Sequence, residues 1–178
     1  FYSAPRSGTA EVYLHEMPGG QYTNLKEQAN GMGLGHRWQE IAHTYADVNQ
    51  LFGDIVKVTP SSKVVGDMTM LLVTQDLKAK DLLNGNAPNL DFPESVIDML
   101  GGGLGQPDGG WPKEIQKLVL GDKIPVTVRP GELAPPCDLD QTKAELTQAL
   151  DREASNDDLY SHLMYPQVFS DYLDSLKS

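Results

Sequence analysis

The spacing of large apolar side chains between residues 38 and 52 constrains the fold most strongly. Five such side chains recur at intervals of three and four residues: Trp38, Ile41, Tyr45, Val48 and Phe52. In an α-helix this spacing places all of them on one face, and a glycine directly after the last one is a common helix stop. The pattern therefore predicts an amphipathic helix that buries one face and ends at Gly53.

Similar patterns predict helices along most of the chain. Leu25, Ala29 and Met32 would share one face of a helix that the following glycines end, and Val64 begins the next apolar face. Further helices are predicted at 93–100, 112–120, 140–153, 157–164 and 166–176. Residues 126–128 are too few to indicate a strand, and the proline-rich 129–136 predicts an extended segment. We expect a mainly α fold of short helices on irregular connectors, forming one segment over 1–178.

Composition excludes several functional classes. A formal net charge of −11 argues against nucleic acid, since phosphate binding needs clustered Lys and Arg. No apolar stretch approaches the roughly 20 residues of a membrane-spanning helix. Cys137 is the single cysteine, which excludes an internal disulfide and suits a reducing compartment. The chain starts at Phe1 without an initiator Met, so we expect it to be the interior of a longer polypeptide.

Familiar catalytic motifs do not fit the sequence. The four histidines lack the spacing of a zinc site, and one cysteine cannot complete one. The glycines at 101–105 lack the Gly-Lys-Ser/Thr ending of a phosphate-binding loop. No Gly-x-Ser-x-Gly segment supports a serine hydrolase.

The run at 58–67 carries two hydroxyls and an ammonium within five residues. Proline is favoured at the first helical position, so Pro60 predicts Thr59 as the N-cap, accepting from the N–H of Ser61 or Ser62. Lys63 would then face the positive end of the helix dipole, which is easier to explain if it meets an anion or a polar ligand.

This run, together with 15–24 (His-Glu-Met-Pro-Gly-Gly-Gln-Tyr-Thr-Asn), closely resembles the carboxyltransferase domain of the pyruvate carboxylase family. Other pieces resemble the family in the same order: 92–96, 105–107, 109–112, 129–131 and 164–169. The resemblance implies that the chain is the helical extension that follows an α/β barrel. It also implies transfer of a carboxyl group from carboxybiotin to pyruvate, giving oxaloacetate.

Three site residues follow from the resemblance. Thr59 corresponds to a proton shuttle between biotin and pyruvate, and Ser62 and Lys63 correspond to contacts with the biotin head group. A hydroxyl can donate and accept at once, and an ammonium can hold the ureido oxygen or the carboxylate. The 15–24 motif is interpreted as a scaffold for the site, with His15 outside the chemistry. Within it, Pro18-Gly19-Gly20 predicts a turn that needs unusual backbone angles, before a helix opens at 21–24.

The resemblance also implies partners that lie elsewhere. The divalent metal (Zn or Mn) belongs to the barrel, with no metal ligand in this chain, and ATP with Mg belongs to the biotin carboxylase domain. Pyruvate, the biotin carrier domain and a homo-tetramer are the expected partners. We expect the isolated segment to be inactive, and the resemblance favours a bacterial cytoplasm over a mitochondrial matrix.

Two alternatives stay open at this point. The chain could belong to a related biotin-dependent oxaloacetate decarboxylase or transcarboxylase subunit, although the Ser62-Lys63 pair favours the carboxylase. It could also be a non-catalytic helical assembly module, in which case the polar cluster at 59–63 would serve only to cap a helix.

Overall fold

The regular structure of the chain is helical. The computed structural model describes residues 7–84 and 90–176, and within these ranges it contains α-helices and short 3-10 turns but no strand. The predicted mainly α fold class is confirmed. The chain divides into two compact units, Phe1–Leu133 and Ala134–Ser178. None of the described helices is both long and apolar enough to span a membrane.

The first unit carries seven α-helices among its described residues. They are α1 Val12–His15, α2 Gly19–Gly31, α3 Trp38–Leu51, α4 Ser61–Thr74, α5 Glu94–Leu100, α6 Lys113–Leu120 and α7 Pro130–Leu133. Short 3-10 turns at Gly35–Arg37 and Ala79–Asp81 precede α3 and follow α4.

The predicted helix at 38–52 forms the centre of the first unit. α3 ends at Leu51, Phe52 takes the C-cap position, and Gly53 turns the chain with a φ of +93°, a conformation that glycine adopts at low cost. Ile41, Tyr45 and Val48 are fully buried, as the three-and-four spacing predicts. α3 packs against α4, whose own buried face includes Val65, Met68 and Leu72. This pair therefore provides the core on which the other helices pack.

Three local predictions were wrong. Met32 is exposed because α2 ends at Gly31 and Met32 lies beyond its last turn. The Pro18-Gly19-Gly20 stretch is not a glycine-dependent turn: α2 begins at Gly19, and the positive φ (+58°) belongs to Glu16. The extended segment expected at 129–136 contains the single turn α7, because a proline fits the first helical position.

The glycine-rich connector after α5 is held in place by contacts with residue 126. The Val126 N–H donates to the Gly101 carbonyl at 2.8 Å, and the Gln106 amide donates to the Val126 carbonyl at 2.7 Å. A side chain at Gly102 would collide with that same carbonyl oxygen. The connector therefore needs glycine at 102 for the close approach of two backbone segments.

The second unit consists of α8 Leu139–Leu150, α9 Asn156–Met164 and α10 Pro166–Ser175. These helices lie within a few residues of the predicted bounds. Leu146, Ala154 and Phe169 form their small buried core.

A capping box starts α9. The Ser155 hydroxyl accepts from the Asp158 N–H at 3.1 Å, and the Asp158 carboxylate accepts from the Ser155 N–H at 2.9 Å. Arg152 also donates two hydrogen bonds to that carboxylate, at 2.7 and 2.9 Å. These donors, Arg152 first and Ser155 second, lower the pKa of Asp158 well below its ordinary value.

We predict that Ser155→Ala lowers the opening free energy of α9 by about 1 kcal/mol, because the Asp158 N–H loses its capping partner. Amide hydrogen exchange across α9 measures this directly. Ser161→Ala, an exposed change within the same helix, is the matched control and should shift exchange by less than about 0.5 kcal/mol. Unchanged protection in Ser155→Ala would show that the cap does not hold the helix end.

Candidate functional site

The start of α4 differs from the predicted cap. Pro60, not Thr59, occupies the N-cap position, and it makes no side-chain capping bond. The Ser61 hydroxyl takes the local bonds instead: it accepts from the Val58 N–H at 3.1 Å and lies 3.0 and 2.8 Å from the Val56 and Val58 carbonyl oxygens. Thr59 is exposed and joined to Pro60 by a cis peptide bond. The prediction that Thr59 caps the helix is therefore wrong, because Pro60 is the N-cap and the Ser62 N–H donates to the Val58 carbonyl oxygen at 2.9 Å.

Ser62 lies in the first turn of α4 and is buried, with 6% of its surface exposed. The Tyr45 hydroxyl, from the middle of α3, donates to the Ser62 carbonyl oxygen at 3.0 Å. Burial raises the pKa of Tyr45 far above its ordinary value, so the hydroxyl remains a donor. This bond fixes the first turn of α4 against the core.

Lys63 follows on the exposed side of the same turn. Its side chain is 67% exposed, and its ammonium forms an ion pair with Asp67 at 2.6 Å, one turn further along α4. Asp67 thus supplies an anion for this first-turn lysine. A second donor, the Ser95 hydroxyl from α5, reaches the same Asp67 oxygen at 2.6 Å.

The 15–24 motif lies directly against α4. A side chain at Gly66 would collide with the Gln21 amide and would lie 3.4 Å from a methyl group of Leu25. Glycine at 66 thus leaves room for the Gln21 amide against α4. The motif thereby contacts the helix that carries Ser62 and Lys63, in agreement with its interpretation as a scaffold.

His15 ends α1 in a buried position. Its Nδ1 accepts from the Met17 N–H at 2.9 Å, which leaves the ring proton on Nε2. Burial lowers the pKa of His15, and the nearby Glu11 opposes this shift more weakly. The ring is therefore neutral and held by its own loop.

A polar network ties the same motif to the segment that leads into Thr59. The buried Asn49 amide, from the last turn of α3, donates to Glu16 at 3.3 Å and to Asp54 at 2.8 Å. Lys57, only 13% exposed, pairs with the same Glu16 oxygen at 3.2 Å. Both ends of the 54–57 segment are thereby anchored, just before the chain reaches Thr59.

A cleft of about 430 Å³ opens beside Thr59. Its mostly apolar walls are formed by residues 55, 56 and 58–61 on one side and by residues 99, 104–108 and 111 on the other. Ser62 and Lys63 do not line it. The structure therefore brings the three candidate residues together at one helix start but places only Thr59 in the cleft.

The described residues offer no metal centre. Across 7–84 and 90–176, no group of three or more His, Cys, Asp or Glu side chains is arranged to hold a metal ion. Cys137 is exposed and reduced. The side chains of these ranges therefore do not fit a bound metal ion.

Comparison with known proteins identifies the family. Residues 12–178 match the family model described as the conserved carboxylase domain. The chain belongs to this family. It is 48% identical over 178 residues to the pyruvate carboxylase of Bacillus subtilis and 43% identical over 169 residues to the mitochondrial pyruvate carboxylase of Homo sapiens. Those matches cover 100% and 95% of this chain but only 15% and 14% of the two relatives, so the chain spans about one seventh of their length.

Solved structures of this carboxylase family agree with the fold. The carboxyl transferase domain of Rhizobium etli pyruvate carboxylase, solved with pyruvate and biocytin, matches with a TM-score of 0.87 and 53% identity. The match covers 96% of this chain and 28% of that one. A complete multifunctional pyruvate carboxylase from the same organism matches with a TM-score of 0.88 and 53% identity, over 96% of this chain and 17% of that one. The chain is thus similar to the helical part of the carboxyltransferase domain.

Four residues that support the candidate site were not predicted to do so from the sequence: Tyr45, Lys57, Asp67 and Ser95. Asp67 could have been found, because it lies four residues after Lys63 and such pairs meet on a helix surface. The other three contacts join segments far apart in the chain, and no local pattern indicates them.

We predict that Lys57→Met lowers the free energy of unfolding by about 1.5 kcal/mol, because methionine keeps the buried stem but loses the charged hydrogen bond to Glu16. Urea unfolding of the chain measures the change. Lys80→Met, at an exposed position after α4, is the matched control and should change stability by less than about 0.5 kcal/mol. Equal losses of unfolding free energy in Lys57→Met and Lys80→Met would contradict an anchoring role for Lys57.

Proposed function

We propose that this chain is the helical part of the carboxyltransferase domain of a pyruvate carboxylase, where it takes part in carboxyl transfer from carboxybiotin to pyruvate. The proposal depends most on Thr59, which is exposed and lines a cleft, and whose hydroxyl does not cap α4. The chain that carries it is 48% identical to a pyruvate carboxylase. A threonine whose hydroxyl capped the helix would be explained by stability alone.

The proposed chemistry moves one carboxyl group and one proton. Bound biotin would supply the carboxyl group as CO2 when its N–C bond breaks. The enolate of pyruvate would then form the new C–C bond to CO2, giving oxaloacetate. The methyl group gives up a proton, and the biotin nitrogen needs one. The Thr59 hydroxyl accepts the first proton while donating its own, so it relays the proton without holding a charge.

Lys63 and Ser62 are proposed to bind the biotin head group. The exposed ammonium of Lys63 suits the ureido oxygen or the carboxylate, because a charged donor makes the stronger hydrogen bond to either. Ser62 is buried, so its contribution requires the head group to reach into the first turn of α4. The donor set of this turn, a hydroxyl and an ammonium, fits such a ligand.

The remaining parts of the reaction are assigned outside this chain. We propose that an α/β barrel holds pyruvate and the divalent metal (Zn or Mn), and that a biotin carboxylase domain uses ATP and Mg. A biotin carrier domain would bring the carboxyl group to Thr59, and the assembly would be a homo-tetramer. The relatives include both bacterial and mitochondrial proteins, and the bacterial cytoplasm stays our prediction for this one.

In the full-length protein, we predict that Thr59→Ala lowers the rate of oxaloacetate formation by roughly 100-fold or more, because the proton relay is lost. ATP-dependent carboxylation of biotin and the thermal unfolding midpoint should stay unchanged. Thr59→Ser, which keeps the hydroxyl, should retain most of the rate. A fully active Thr59→Ala protein would instead favour the helical assembly module.

We also predict that the isolated 178 residues catalyse no carboxyl transfer from carboxybiotin to pyruvate. The described residues include no group of three or more potential ligands placed to hold a metal ion, and the proposed pyruvate site lies elsewhere. The assay monitors oxaloacetate formation with added carboxybiotin, and the full-length protein is the positive control. Turnover by the isolated chain would overturn the division of the site between this segment and the barrel.

A further inference from the structure

The carboxylate of Asp67 is held from two helices at once. One of its oxygens accepts from Lys63 on α4 and from Ser95 in the first turn of α5, each at 2.6 Å. The side chain of Asp67 is 16% exposed, whereas that of Lys63 is 67% exposed. Asp67 is therefore the more buried partner of the pair, with a second hydrogen bond of its own.

Helix stability alone explains this pair poorly. A base that precedes an acid by four residues contributes less to helix stability than the reverse order. The lysine also lies in the first turn, where the helix dipole disfavours a cation. A directed ammonium explains the arrangement better, since an ammonium carries three N–H groups and Asp67 uses one of them.

We propose that Asp67, itself fixed by Ser95, is a positioning residue that aims the Lys63 ammonium at the biotin head group. This inference rests on the proposed function and extends it to two residues that do not touch the ligand themselves. Held by Asp67 at one N–H, the ammonium keeps two donors for the ureido oxygen or carboxylate. Without Asp67, the long lysine side chain would sample many rotamers and bind less well.

The test is a double-mutant cycle in the full-length protein. The assay follows carboxyl transfer from oxaloacetate to added biotin and separates KM for biotin from kcat. Asp67→Asn removes the charge but keeps an oxygen for Ser95, so we expect KM to rise about tenfold with a smaller change in kcat. Ser95→Ala should raise KM in the same direction by less. In a Lys63→Gln protein, adding Asp67→Asn should raise KM no further, because Asp67 acts through Lys63.

The cycle separates two kinds of failure. If Asp67→Asn raises KM for biotin by the same factor in the wild-type and the Lys63→Gln proteins, the positioning role is overturned and the biotin contact is left intact. An unchanged KM in Lys63→Gln alone would overturn the biotin contact itself, and the positioning role with it. Asp76→Asn breaks an exposed ion pair with Arg37 beyond the other end of α4, and as the matched control it should leave KM unchanged.

Discussion

The packing of α4 against α3 determines where Ser62 and Lys63 lie. Tyr45 is buried in the middle of α3, and its hydroxyl reaches the carbonyl oxygen of Ser62 in the first turn of α4. At Gly66, the Gln21 amide and a methyl group of Leu25 from α2 pack against α4. The helix start is thus held by one buried hydrogen bond and one close contact. Lys63 follows Ser62 directly, so its backbone position is set by the same two constraints.

The segment before α4 is anchored separately, by charge rather than by apolar packing. Glu16 accepts from both Asn49 and Lys57, so a single carboxylate joins the 15–24 motif, the end of α3 and the approach to Thr59. Buried polar groups of this kind stabilise one arrangement of a loop, since each loses its partner if the loop moves. This explains how an exposed threonine can have a defined position beside the cleft although its own hydroxyl does not cap the helix.

Long-period apolar patterns predicted the helices well, and short local patterns predicted their ends poorly. The spacing from Trp38 to Phe52 defines one apolar helix face whatever packs against it, so it predicts the helix without knowledge of the tertiary fold. The start of α4 instead depends on whether the Thr59 or the Ser61 hydroxyl takes the local hydrogen bonds, and both fit the sequence equally well. The candidate site likewise includes residues that the sequence predicts and contacts that it does not. Thr59, Ser62 and Lys63 came from resemblance, whereas the contact of Asp67 with Ser95 joins residues 28 positions apart and required the fold.

A crystal structure of the full-length protein with pyruvate and biocytin tests most directly whether the start of α4 forms one wall of a carboxyl transfer site. We expect the Thr59 hydroxyl between the two ligands and the Lys63 ammonium within about 3 Å of the ureido oxygen, the distance of a hydrogen bond. A biocytin head group bound in the same domain, with no side chain from the start of α4 within hydrogen-bonding distance, would contradict it.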